Sequence, residues 1–363
     1  MANWKELFGI GKKQSEDIPF EPDLKDELDA KTRQRMQSAY TAAIVLQRQS
    51  RFNEAIPYYQ DVLEIDESHV DSLYGLASCI AQTDRFEEAE DYLIQIVNLV
   101  PSHADAYFML GSVYSSREDW DKALEAYERA GELGPQTSSA YLHRGYGHYM
   151  KKEYEKALEC FKRAKKRNPM DDQIYHFTGS VYVDLKQYDE AEQMFRQALR
   201  LSPNNIQYIV NMGWFLIERS RQIDAEAYIR SAMTNRPNNT DLKRLLCSVY
   251  YDLDKHQESI DIGLQIIELN PHEAIAYSNV AESLIKLGRD EEAMKYFEKA
   301  LAIDSEPMVG ISHYGLGLFA AREGNTEEAK SQFLSCLEIE SDHEGAIRGL
   351  TQIESLSKQI DSD

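Results

Sequence analysis

The stretch "RLSPNN" at residues 200–205 and the stretch "TNRPNN" at 234–239 end alike, with Pro203 and Pro237 at the same place in each. The interval between them is kept along the chain. Pro101, Pro135, Pro169, Pro203, Pro237 and Pro271 form one evenly spaced column, which uses six of the ten prolines. Ala55, Ala89, Ala123, Ala157, Ala191 and Ala225 form a second column with the same step; Ser259 takes the next place, Ala293 follows, and Ala329 arrives two residues late. A fixed period of about 34 residues constrains the fold more than any local motif, because each period must be one stackable supersecondary unit. It displaces the two or three globular domains that 363 residues would otherwise suggest.

One period shows what the unit is. Across 172–205, Ile174, Tyr175, Thr178, Val181, Tyr182 and Leu185 recur at helical spacing, a polar break follows at Lys186 and Gln187, and Ala191, Met194, Phe195, Ala198, Leu199 and Leu201 make a second stripe. Pro203 cannot continue a helix, and the neighbouring Asn residues support a turn. The pattern predicts two helices of about a dozen residues joined by a short turn. Gly111, Gly145, Gly179, Gly213 and Gly317 keep one column small, and Ala130, Ala164, Ala198, Ala232 and Ala300 keep another. Small residues let helix axes approach. An aromatic column, Tyr59, Tyr127, Phe161, Phe195, Phe297 and Phe333, is expected to fill the gap toward the following unit. Neither helix can bury its stripe alone, so the units must stack.

These residues carry a family resemblance. The chain resembles the tetratricopeptide repeat proteins, whose signature has a 34-residue period with Leu-Gly, Tyr, Ala, Phe and Pro landmarks. Residues 104–137 match closely through Tyr107, Leu110, Gly111, Tyr114, Ala123, Tyr127 and Pro135. The resemblance implies an all-α fold, a right-handed superhelical solenoid of about nine helix-turn-helix repeats with a concave inner surface. The expected organisation is an N-terminal amphipathic segment and acidic linker at 1–35, the solenoid at 36–343, and a C-terminal capping helix with a short tail at 344–363. Repeat seven departs from the pattern with Lys243, Cys247, Ser259 and Gly263, and is expected to be the loosest internal repeat. "DSEPMVG" between repeats eight and nine is two residues too long, which predicts a kink. In the last segment Ala346, Ile347, Leu350, Ile353, Leu356 and Ile360 share one side of a helix without a partner, as a cap would.

Composition narrows the function. Apolar residues make up 42% and charged residues 28%, a balance that suits a soluble helical protein. No apolar run is long enough to span a bilayer, and the start has no secretory-signal core, so a cytoplasmic location is expected. The formal net charge of −22 argues against nucleic acid as a ligand and allows a basic partner. Cys79, Cys160, Cys247 and Cys336 are far apart, with no zinc spacing, and read as buried reduced thiols. No HExxH, GxSxG, phosphate-loop or Rossmann pattern occurs. His143 and His176 lie one repeat apart but form no metal-ligand pattern, and pairs such as Glu87–Glu88 and Glu291–Glu292 sit where they complement a helix dipole. The chain therefore reads as a non-enzymatic scaffold or adaptor with no cofactor and no metal.

The resemblance places the first helix of each repeat along the groove. In repeats two and three its side chains are small or polar, such as Ser78, Ala81, Ser112 and Ser115. In repeats four to six they become Leu142, His143, Tyr146, Tyr149 and Met150, then His176, Phe177, Ser180 and Val183, then Val210, Asn211, Trp214 and Ile217. Aromatic residues with polar tips suit the capture of a peptide or helix of a partner protein. His143, Tyr146, Tyr149, His176, Phe177, Asn211, Trp214 and Asn279 are thus the candidate site, with Asn211 and Asn279 able to hydrogen-bond a ligand backbone; mutual burial of the aromatics is the competing reading. Met109, Phe177 and Leu245 interrupt the inner Asn ladder that the resemblance to O-linked sugar transferases would require, and no Lys/Arg/Asn clamp for a terminal carboxylate is evident.

A second candidate is "NWKELFGIGKK" at 3–13, where Trp4, Leu7 and Phe8 can share a helix face. It reads as an interfacial helix, a docking peptide or a self-packed tail. The alternative function that follows is a membrane-associated assembly or regulatory factor recruited through this segment. The acids of "QSEDIPFEPD" would repel anionic lipid, which weighs against membrane contact.

Overall fold

Alternating apolar stripes and turn signals produce only helices among the described residues of the computed structural model, 29–303 and 310–360. Trp4, Leu7 and Phe8, and the insertion at 304–309, lie outside them. The chain is an all-α repeat solenoid that divides into two compact units, residues 1–204 and 205–363. Among the described residues the first unit holds five helical pairs, from Ala30–Arg48 with Phe52–Leu63 to Asp172–Asp184 with Tyr188–Leu201. The second holds four, from Ile206–Glu218 with Gln222–Met233 to Gly310–Arg322 with Thr326–Ile339; the helix Glu344–Ile360 then packs on the last pair.

The turn between repeats is built from both of its sides. Pro203 lies just past the end of Tyr188–Leu201, where it cannot prolong the helix. The second Asn of each "PNN" opens the next helix rather than closing the last. Asn205 Oδ1 accepts from the Tyr208 N–H at 3.3 Å, and Asn239 Oδ1 from the Leu242 N–H at 2.9 Å. Thr137 and Asp171 cap at the same place in their repeats. At the equivalent position His69, His103 and His343 accept through Nδ1 from the N–H three residues on, at 3.2, 3.1 and 3.1 Å.

The turn inside each repeat needs one left-handed residue. Ser50, Asp84, Glu118, Lys152, Lys186, Ser220, Asp254 and Gly288 all have φ between 55° and 72°, again one repeat period apart, and Gly324 follows at 76°. Each lets the chain reverse so that orphan carbonyls at the helix end find donors: the Gln187 N–H reaches the Tyr182 carbonyl at 2.8 Å.

The aromatic column packs differently from expectation. In the first unit the Phe161 ring covers Gly145 of its own repeat, and a Cβ there would lie 2.5 Å from the ring. Tyr127 covers Gly111 and Phe195 covers Gly179 in the same way, whereas Tyr59 covers Gly75 of the following repeat. In the second unit Phe333 does both, against Gly317 and Gly349. The ring is therefore a wedge into its own helical pair as well as a filler toward the next. Gly213 is the exception: position 229 is Ile, and Leu245 fills the space above the glycine. Ala55, Ala89, Ala123, Ala157, Ala191, Ala225, Ala293 and Ala329 are all closed to solvent, since any larger side chain would push the paired helices apart.

Repeat seven is not loose. Lys243, Cys247 and Ser259 are buried there. Lys243 Nζ donates to Gln265 Oε1, Ser259 Oγ donates to the Cys247 carbonyl at 3.1 Å, and Ser283 Oγ donates to Ser259 Oγ at 3.0 Å. Val280 closes over Gly263. Satisfied polar groups and a branched neighbour replace the missing bulk.

Candidate partner-binding surface

In the first unit the aromatic residues of repeats four and five form one connected set. Tyr146, on Ser138–Met150, lies 5.0 Å from the Phe177 ring, 6.4 Å from Tyr149 and 5.7 Å from Trp120. Tyr149 lies 6.4 Å from Tyr154. Phe177, on Asp172–Asp184, stacks on Phe161 at 6.2 Å and tilts against His176 at 5.4 Å. Such edge and tilted contacts stabilise beyond simple area burial. Tyr146, Tyr149, Trp120, Tyr154 and His176 keep part of their surface open.

Two predicted residues are not open. His143 is 4% and Phe177 is 5% exposed. His143 Nδ1 donates to the Ser139 carbonyl at 2.7 Å, and its ring meets Phe108 at 4.9 Å and Tyr127 at 5.6 Å. Both side chains support the surface from behind. The first-helix spacing puts them near the groove, but the preceding repeat covers His143 and the neighbouring rings cover Phe177.

Electrostatics follow this burial. Desolvation holds the His143 imidazole down to about 4, opposed by its bond to Ser139, so it is neutral at pH 7. Desolvation also lowers His176 to about 4, with Asp172 opposing. Burial pushes the Tyr149 phenol well up, helped by the charge of Asp184 and a hydrogen bond to it. Tyr154 is raised by desolvation and by the same carboxylate. The charge of Asp184 thus bears on both phenols.

Trp120, Tyr154 and Asp184 are not among the sequence candidates. A signal for the first two exists: Phe52, Phe86, Trp120, Tyr154 and Tyr188 recur once per repeat at the start of each second helix. Attention to first helices alone passes over them.

The remaining candidates belong to the second unit. Trp214 is 43% exposed on Ile206–Glu218. Asn211 is half-buried and its Oδ1 accepts from Gln207 Nε2 at 2.8 Å. Asn279 is half-buried on Ala274–Lys286. Among the described residues no group of three His, Cys, Asp or Glu side chains could hold a metal ion, and no helix is long and apolar enough to cross a membrane.

Comparison with known proteins agrees with this architecture. A curated protein that resembles the chain is the peroxisomal targeting signal receptor of Kluyveromyces lactis, 28% identical over 94 residues. That match takes in 26% of this chain and 16% of the receptor, so the chain spans a small part of its length. A crystallised tetratricopeptide repeat protein from Parabacteroides merdae aligns over 69% of this chain and 98% of its own, with 15% identity and a TM-score of 0.56. A chain of the APC/C hetero-tetramer Cut9–Hcn1 aligns over 88% of this chain and 76% of its own, with 14% identity and a TM-score of 0.51. At these identities the two structures speak for the fold alone. Models of the tetratricopeptide repeat match residues 37–69, 69–135, 108–172, 172–205, 274–307 and 312–343. With the period, the paired helices and the glycine-aromatic wedges already in place, the chain belongs to the tetratricopeptide repeat family.

Proposed function

We propose that this chain is a protein-interaction scaffold whose first unit binds an extended segment or helix of a partner protein across Tyr146, Tyr149 and His176. One observation carries the reading: a connected run of half-open aromatic rings, Trp120, Tyr146, Tyr149 and Tyr154, stands on a buried platform of Phe177 and Phe161. The outer rings also pack on the core beneath them, yet each keeps part of its surface open. The outer rings offer large area at little cost in side-chain entropy, with phenol tips that hydrogen-bond, as hot spots do. The work done is binding, without bond chemistry, and a cytoplasmic setting with a partner of positive charge suits the net charge of −22. Trp214 and Asn211 offer similar chemistry within the second unit.

The test uses a partner captured from native lysate, then purified and titrated by calorimetry. Two hot-spot truncations cost about 2 kcal/mol each, so Tyr146→Ala/Tyr149→Ala should weaken binding by about 4 kcal/mol if the two add, roughly several hundredfold to a thousandfold. Equal affinity in wild type and variant would remove the surface from the account. Trp214→Ala, measured alone, reports whether the second unit takes part.

A further inference from the structure

The helix Tyr154–Arg167 ends on a run of cations that repeat stacking does not call for. Residues 162–170 read "KRAKKRNPM": Lys162, Arg163, Lys165, Lys166 and Arg167 follow one another with no acid between them, in a chain of formal net charge −22. All of them are exposed. A helix dipole favours a cation in the last turn, but it does not account for this run. The last turn here holds Lys165, Lys166 and Arg167 together. Arg200 and Arg230 stand alone in the last turns of Tyr188–Leu201 and Gln222–Met233, and the second helices of the other repeats carry no base there.

The fold holds several of these cations in place without neutralising them. Lys165 Nζ lies over the Tyr175 ring, 4.9 Å from its centroid, and the Tyr175 hydroxyl is fixed by donating to the Pro169 carbonyl at 2.9 Å. The guanidinium groups of Arg163 and Arg167 lie 5.8 and 6.0 Å from the centroid of Tyr141. Arg167 Nη1 also donates to the Gln136 carbonyl at 2.7 Å. Arg163 meets an acid, since its Nε donates to Glu159 Oε1 at 3.0 Å. Among the described residues no carboxylate pairs with Lys162, Lys165, Lys166 or Arg167. Like charges held this close repel one another, and a bound anion relieves that repulsion.

We infer that this end of Tyr154–Arg167 docks an acidic segment of a partner protein, whose carboxylates meet Lys162, Lys165 and Lys166. Helical rise sets Lys162 and Lys166 about 6 Å apart along the axis. Alternate residues of an extended chain stand about 6.6 Å apart, so two acids separated by one residue reach both lysines. The rings beneath are closed, Tyr141 at 8% and Tyr175 at 6% exposed, and offer no platform on which nucleic-acid bases could stack. The net charge of −22 opposes approach to an anionic bilayer, whereas a single segment touches the cations alone. Met170, 71% exposed at the turn beyond, adds an apolar contact that a polypeptide can use. Lys166 lies about 18 Å along the helix from Tyr154, at the opposite end from the aromatic rings, and the inference does not depend on them.

The experiment is fluorescence anisotropy of a labelled hexaglutamate with the full chain at about 0.05 M salt, beside a hexaglutamine control. Lys162→Ala/Lys165→Ala/Lys166→Ala changes exposed side chains only, and circular dichroism verifies its fold. It should bind about tenfold more weakly, the combined loss of three exposed ion pairs. Lys31→Ala/Arg33→Ala/Arg35→Ala removes the same charge from exposed positions elsewhere in the first unit and should bind as the wild type does. Raising the salt to about 0.5 M should erase the difference. In the wild type, hexaglutamate should also slow the acetylation of Lys162, Lys165 and Lys166, read by mass spectrometry. No binding of hexaglutamate, no protection of these lysines, or an equal effect of the two triple variants would overturn the inference. Binding of a thymidine oligonucleotide, or of phosphatidylserine–phosphatidylcholine vesicles, through the same lysines in place of hexaglutamate would overturn it in favour of nucleic acid or membrane. Tyr146→Ala/Tyr149→Ala should leave hexaglutamate binding unchanged, so failure here is separable from failure of the aromatic surface.

Discussion

Gly145→Ala tests the wedge that holds each helical pair together. A methyl group at this position meets Phe161 Cε1 at 2.5 Å, Cδ1 at 2.7 Å and Cζ at 3.1 Å. Non-bonded carbons prefer about 3.5–4.0 Å, so the ring must retreat by about 1 Å. It has nowhere to go: Phe161 is fully enclosed, with Phe177 stacked 6.2 Å behind it. Overpacking of this kind costs about 1–3 kcal/mol, and three close ring atoms put it in the upper half of that range. Alanine regains about 1 kcal/mol through helix propensity. The net expectation is a loss of about 1–2 kcal/mol, which for a body of this size lowers Tm by roughly 2–8 °C. Differential scanning calorimetry reads it, with Phe161→Leu and the double variant completing a cycle. The double variant should recover part of the loss, with a coupling of about 1 kcal/mol. The sign decides: a higher Tm for Gly145→Ala would mean that propensity governs and that the wedge is not tight.

Three further outcomes follow from the same structure. His143 is neutral when folded down to about 4, whereas in the unfolded chain it titrates near its ordinary value of 6.5. The unfolded state therefore binds the extra proton first, and stability from this residue is intact above pH 6.5 and lost as pH falls toward 4. The stability gap between wild type and His143→Leu in urea should shrink by up to about 1.4 kcal/mol per pH unit in that window; a constant gap would contradict the burial of the ring. Lys186→Gly, at φ 59°, should stabilise by about 0.5–1 kcal/mol, and Gly288→Ala, at φ 72° with nothing within 4 Å, should destabilise by a similar amount, both by thermal melting. Burial lifts Cys79 to about 12 and Cys247 and Cys336 to about 11, and raises Cys160, so none should react quickly with a disulfide reagent at pH 8 until urea is added.

Much of the fold is legible because it is written in residue identity. Pro203 and its column, the Ala191 column and the Gly179 column each require one residue type, and that requirement survives from period to period. The left-handed column is illegible for the opposite reason. Ser50, Glu118, Lys152 and Gly288 share a backbone angle but no side chain, so nothing in the letters repeats. Repeat seven misleads when its substitutions are weighed one at a time. Ser259 in place of alanine is tolerated because Cys247 and Ser283 supply its partners. The proposed binding surface is legible only in outline. Helical phase draws attention to Tyr146 and Tyr149, which keep part of their surface open, but phase does not say which neighbour covers a side chain, and so it puts His143 and Phe177 on a face that packing closes.

Hydrogen–deuterium exchange of the purified chain, with and without a captured and purified partner, tests the central claim most directly. The account predicts new protection concentrated in the helices Ser138–Met150 and Asp172–Asp184, which carry Tyr146, Tyr149 and His176, and in the first turn of Trp120–Leu133, which carries Trp120. It predicts little change in Tyr154–Arg167 beyond its first turn, which carries Tyr154. Protection confined to the second helices, or absent from both first helices while the partner is bound, would contradict it and move the binding surface elsewhere on the chain.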